Sequence, residues 1–195
     1  FEQRELLNSQ FSKFIVENYT DLINDESAIF SNKVFDNFLH PIINNNQKLI
    51  FIIIDCLRLD QWKQISQFLS DSFRIVENHH ISVIPTATPF ARNAIFSGLF
   101  PSEIKETYPE IWNRMYSEKK LNHYEDYFFK KMLEKKDINK SFHYSKISDY
   151  NEGEKFLNKL NDYKNIDILS IVVNFVDILG HSRSESNVLK ELIPN

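Results

Sequence analysis

Three short stretches of this chain carry residue types and spacings suited to chemistry. The first is SVIPTATPFARNAIFSG, Ser82–Gly98, which begins as a strand and ends as a helix, with Thr86, Thr88 and two prolines between. Thr88 before Pro89 suits a helix N-cap, with the proline as first helical residue. The same hydroxyl, at a helix start that attracts phosphate through free N–H groups, suits a nucleophile once a metal or base lowers its pKa. The two readings are compatible. The second stretch is VDILGHSR, Val176–Arg183. If the chain bends into a loop there, with Gly180 giving the freedom to turn, Asp177 and His181 reach one ion, and such a pair with an oxygen ligand suits zinc or manganese. The alternative is an ordinary polar loop with a surface histidine. The third is IIIDCLRLD, in which Asp55 closes an apolar run. Asp55 is read either as a cap for the next helix or as a metal ligand. Cys56 beside it reads as a small core residue. Arg58 is placed to contact phosphate or to pair with a carboxylate.

The elements that must position these groups alternate in type. Residues 1–40 read as helices, with LLNSQFSKFIVENY placing Leu7, Phe11, Phe14 and Ile15 near one face and KVFDNFLHPII ending a second helix at Pro41. KLIFIIID is a continuous β-branched run and predicts a central parallel strand buried on both faces. LDQWKQISQFLSD predicts a helix whose inner side carries Leu59, Trp62, Ile65, Phe68 and Leu69, and FRIVENHHISVI predicts one or two strands. Residues 101–141 are charged and aromatic, with one helix expected at YEDYFFKKMLEKK. SFHYSKI and IDILSIVVNFVD predict further strands, the second ending at Asp177; EGEKFLNKLNDY and SESNVLKELI predict helices. This alternation gives an α/β fold with a mainly parallel sheet flanked by helices and preceded by a short helical segment. In such sheets ligands bind outside the carboxyl ends of the strands. Asp55, the Thr86–Thr88 turn and Asp177 all fall at such ends.

The bulk numbers limit the alternatives. Of 195 residues, 42% are hydrophobic and 26% charged, enough for a packed core. The net charge of −4 and the lack of a basic stripe argue against tight non-specific duplex binding. A phosphate-bearing substrate is still compatible, since a metal supplies a local positive field. A single cysteine rules out a disulfide within the chain and fits a reduced, cytoplasmic protein. LIFIII is far too short for a membrane span. The first residue is not Met and the last helical pattern stops just before Asn195, so the chain reads as a fragment of a longer protein.

Taken in order, FIIIDCLRLDQW, SVIPTATPFARNAIFSGLFP and NFVDILGHSRSESNVLKEL resemble the PglZ domain of the alkaline phosphatase superfamily. More narrowly they resemble the effector domain of PorX-type two-component response regulators tied to type IX secretion. The resemblance implies a helical linker over 1–47 and a C-terminally truncated PglZ-like domain over 48–195. It implies a phosphodiesterase that uses two zinc ions, with Asp55 binding one metal, Asp177 and His181 the other, and Thr88 as a nucleophile that also touches metal. Thr86 is the second candidate. Arg92, one turn into the helix, would support charge on the phosphate or form a structural ion pair. The implied substrates are phosphodiesters such as oligonucleotides. The implied partners are an upstream receiver domain, a second copy in a homodimer and a regulatory protein. The superfamily's later Asp-His pair is not found before Asn195, and Cys56 stands where a polar residue such as Asn is expected. The competing reading is a signalling module that keeps the fold, has weak or no catalysis, and binds a protein in secretion or transcription control.

Overall fold

A computed structural model describes residues 2–182. In chain order the elements are α1 (Glu2–Asn24), a 3₁₀ turn (Ser31–Lys33), a π-helical turn (Phe35–Leu39), α2 (His40–Asn44), β1 (Leu49–Ile54) and α3 (Leu59–Leu69). Then come α4 (Thr88–Ser97), α5 (Pro101–Thr107), α6 (Pro109–Ser117), α7 (Glu125–Lys135), β2 (Phe142–Ile147), α8 (Tyr150–Asn158), a 3₁₀ turn (Leu160–Tyr163), β3 (Ile168–Val173) and α9 (Phe175–Ser182). They form two compact units. One takes the chain up to Asn37 and from His79 to Asn122; the other takes Phe38–Asn78 and the chain from His123 onward.

The second unit holds the sheet. It is parallel, in the order β1-β3-β2. β3 is the central strand, and Ile168–Val172 are all buried. β1 is an edge strand among the described residues, with Ile50 and Ile52 more than half exposed. The expectation of a central first strand is corrected here: two equally apolar runs compete for one central place, and ILSIVV holds it. α7 covers one side of the sheet. Its Phe129 stacks on Phe51 at 6.2 Å and tilts against Phe142 at 5.0 Å, and Phe128, Met132 and Leu133 beside it are buried. Helix α3 forms where expected, yet of its expected inner residues Leu59, Ile65 and Phe68 are all exposed. Its Trp62, Ile65 and Leu69 line an open apolar trough of about 780 Å³ with Ile50 and Ile52 of β1.

The first unit is helical. Its core is Phe30, Val83 and Ala94, against which Tyr19 and Phe100 pack. Tyr19 and Phe100 each set a ring edge-on to Phe30 at 5.9 Å. The strands expected in FRIVENHHISVI reduce to one parallel bridge between Phe30 and Ile81. Polar Glu77–His80 offer no apolar alternation to sustain a longer pairing. The charged region after Pro101 holds three helices where the sequence predicts one. Pro101 and Pro109 each open a helix in the first turn, where a missing N–H costs nothing. Pro41, likewise, lies in the first turn of α2 instead of ending a helix. The helix expected at SESNVLKELI lies outside the described residues.

Phe129 is fully buried between two strands' aromatic rings. Phe129→Ala is therefore expected to lower unfolding stability by about 3–5 kcal/mol, read as a reduced urea midpoint at unchanged slope.

Candidate active site

The parallel register ends the three strands together: Ile54, Val173 and Ile147 are partners in the last row. The residues just after the strands therefore lie on one rim, the carboxyl rim where α/β sheets bind ligands. After β1 the Asp55 N–H donates to the Val173 carbonyl at 3.0 Å, extending the ladder one residue. The chain then turns sharply through Cys56, whose φ of 59° is unusual for a residue with a side chain. Arg58 begins α3 as its N-cap, and its N–H donates to Gln61 Oε1 at 3.0 Å. Asp55 is thus not the cap of α3, which removes the simplest structural reason for a carboxylate at that position.

After β3 the chain does not loop. Asn174 leads directly into α9, with the Ile178 N–H donating to the Asn174 carbonyl at 3.0 Å. Asp177 is in the first turn of that helix, where a carboxylate is favoured by the helix dipole. Asp177 and His181 are one helical turn apart along α9. Gly180 sits in the helix with open space where a Cβ would be, and no turn depends on it.

Asp55 and Asp177 converge on Cys56. The Cys56 thiol donates to Asp177 Oδ1 at 2.8 Å. That hydrogen bond, then desolvation and the charges of Asp177 and Asp55, push the thiol up to about 11. Cys56 is exposed rather than the small core residue expected from the sequence. Two partly buried carboxylates near one thiol make a site with negative charge and oxygen donors. That chemistry suits a divalent cation, of which these two side chains would supply part of the ligand set. Among the described residues no group of three or more His, Cys, Asp or Glu side chains is gathered to hold an ion.

Arg58 is committed locally. Its Nε and a terminal nitrogen bond Asp60 at 2.9 and 2.5 Å, and this pairing lowers the Asp60 carboxyl to about 2. Of the two sequence expectations, pairing with a carboxylate is the one seen, although that carboxylate is its own neighbour.

Thr86, Thr88 and Arg92 belong to the helical unit. Ala87, not Thr88, is the N-cap of α4, and Thr88 is the first helical residue with Pro89 second. Thr86 is exposed, Thr88 half-buried and Arg92 buried. The approach to this turn is pinned from two sides. The Val83 N–H donates to Ser31 Oγ at 3.2 Å and the Ile84 N–H to the Tyr19 hydroxyl at 2.9 Å. The turn itself is tied down by Asn122, whose Nδ2 donates to the Thr88 carbonyl at 3.3 Å, and by Asn93. The part played by Cys56 and by both asparagines is not among the sequence expectations. Asn93 carries a signal, as a polar residue among the apolar side chains of FARNAIF; nothing in the sequence marks the left-handed turn at Cys56.

Helices packed on a parallel sheet, with carboxylates on its carboxyl rim, define an α/β fold. Residues 34–195 match the family described as the BREX system PglZ alkaline phosphatase-like domain, and the chain belongs to that family. No curated protein matches the chain. No helix among the described residues is long and apolar enough to cross a membrane.

The raised thiol gives a direct readout of this rim. After dialysis against chelator, Cys56 should alkylate about a hundredfold more slowly at pH 8 than an unperturbed thiol of pKa 9, despite its exposure. Its rate should climb about tenfold per pH unit until near pH 11. Asp177→Asn should accelerate alkylation at pH 8, since the first cause of the shift is then gone.

Proposed function

We propose that this chain carries the nucleophile and part of the metal site of a metal-dependent phosphodiesterase. The observation that carries the reading is that Asp55 and Asp177 follow strands that end in register and both act on the Cys56 thiol, while Arg58 and not Asp55 caps α3. Asp55, Asp177 and His181 are the proposed metal ligands, for zinc or manganese, with two ions in the full site. A divalent cation held there supplies positive charge that acidifies a hydroxyl and neutralises a phosphoryl group.

Thr88 is the proposed nucleophile. Its Oγ1 loses its proton and forms a bond to phosphorus as the bond to the leaving oxygen breaks; the leaving oxygen then takes a proton from water. The threonine-linked intermediate still carries the second ester group; water then forms a bond to phosphorus as the Thr88 Oγ1–P bond breaks, Oγ1 takes back a proton, and a phosphomonoester leaves. Thr88 is suited to this as the first residue of a ten-residue helix, whose positive dipole end favours a phosphoryl anion. Arg92 is buried four residues further along the same helix and is proposed to support charge on the phosphate or to form a structural ion pair. Arg58 is proposed to meet substrate only by exchanging Asp60 for phosphate. Oligonucleotides are the proposed substrates.

The motif resemblance to response-regulator effectors supports an upstream receiver domain, a dimeric state and a role in type IX secretion as the setting. The second reading, a protein-binding module with weak catalysis, is favoured by the Cys56 thiol, which occupies Asp177 Oδ1 with a hydrogen bond where a metal ligand would need its oxygen open.

Hydrolysis of a chromogenic phosphodiester by the natural full-length protein, loaded with zinc, separates the two. Thr88→Ala should lose at least about a thousandfold in kcat while retaining zinc, and Thr86→Ala should change it little. Asp55→Ala and Asp177→Ala should each reduce bound zinc measured by elemental analysis. Turnover that survives Thr88→Ala would remove the nucleophile assignment, and a metal-loaded parent without turnover would favour the binding module.

A further inference from the structure

The first turn of α4 has few hydrogen bonds of its own. Thr88 is its first residue, so the Thr88 N–H has no partner within the helix, and Pro89 has no N–H to give. The turn closes through Phe90 N–H and Ala91 N–H, both donating to the Ala87 carbonyl at 2.9 and 3.1 Å. An outside clamp adds to them. Asn93, only 1% exposed, directs its one Nδ2 to two carbonyls, Pro89 at 2.7 Å and Leu121 at 2.8 Å. Its neighbour in the clamp, Asn122, donates to the Thr88 carbonyl at 3.3 Å.

The carboxamide is an expensive choice for mere volume. Asn93 Oδ1 is buried and makes no hydrogen bond among the described residues, and a buried acceptor without a partner is destabilising. An apolar side chain of similar size would fill the space without that penalty. What the apolar side chain would lack is the pair of donated bonds. Those bonds join the peptide next to Thr88 to the 121–122 segment through Asn93, which lies 28 residues before Leu121.

We infer that Asn93 is a positioning residue for Thr88: its doubly donating carboxamide fixes the Pro89 carbonyl, and with it the direction of the threonine hydroxyl at the helix start. The inference rests on the reading of Thr88 as the nucleophile. A misplacement of about 1 Å in a reacting group costs about a hundredfold in rate, so a loosened first turn should lower kcat and leave KM unchanged.

The test compares Asn93→Ala with Ile104→Ala in the full-length protein. Ile104 is buried in α5 of the same unit and makes no contact with the turn through hydrogen bonds, so it reports what lost stability alone does. Amide hydrogen exchange at Phe90 and Ala91 should accelerate at least about tenfold in Asn93→Ala and not selectively in Ile104→Ala. With zinc loaded, kcat per folded enzyme should fall about tenfold to a hundredfold in Asn93→Ala alone. Should Asn93→Ala fail to fold, Asn93→Ser keeps one donor and takes its place with a smaller expected effect. Equal exchange and equal kcat in the asparagine and isoleucine variants would overturn the inference while Thr88→Ala remained inactive. If Thr88→Ala keeps parental activity, the nucleophile reading fails first and the positioning role falls with it.

Discussion

The in-step pairing of β1 with β3, and of β3 with β2, is the constraint on which the rim depends. Each strand contributes six residues, and their last members are partners across the sheet. Parallel strands exchange evenly spaced, slanted bonds and need both long apolar runs and crossover connections. LIFIII and ILSIVV supply the runs, and the α7 aromatics close the face above them. A slip of one residue between β1 and β3 would invert the faces of every side chain. It would also move Asp55 away from the level at which Cys56 meets Asp177.

The two units solve the same problem with different means. In the sheet unit, backbone bonds set the rim and a left-handed Cys56 redirects the chain. A non-glycine residue there costs about 1 kcal/mol or more, offset in part by the thiol–carboxylate bond. In the helical unit there is no ladder to hold residues 83–88. Side chains hold them instead: Ser31 and Tyr19 take the backbone N–H groups of Val83 and Ile84, and the aromatic cluster around Phe30 includes Tyr19 itself.

Much of this fold is legible in the sequence. The alternation of apolar runs and helical periods locates β1, β2, β3, α3, α7 and α8, because each has a strong period or a continuous β-branched run. The differences have physical causes. Periodicity shows that LIFIII and ILSIVV are apolar, but not which of them has a neighbour on each side. Residues 77–80 precede an apolar SVI and resemble a strand's start, yet their polar side chains support only a single bridge at Ile81. Gly180 suggests a loop after Val173, but a lone glycine costs a helix only about 1 kcal/mol, and α9 runs through it. Asp55 and Asp177 on the sheet's rim, and Thr88 at the start of α4, are recognisable by type and position. The groups that bond to them or to the turn that carries them, Cys56, Asn93 and Asn122, are brought there by the fold alone.

The chain passes from one unit to the other at 37–38, returns at 78–79 and crosses again at 122–123. Neither unit is therefore a continuous stretch of polypeptide, since each is assembled from two segments with the other's sequence inserted between them. During synthesis the helical unit cannot close its core until β1 and α3 have already been made. A gene that duplicated or exchanged either unit by a single cut and splice would carry off a whole segment of the other. Such interleaving ties the hydroxyl-bearing turn and the carboxylate-bearing rim into one unit of inheritance, whatever else of the surrounding sequence drifts.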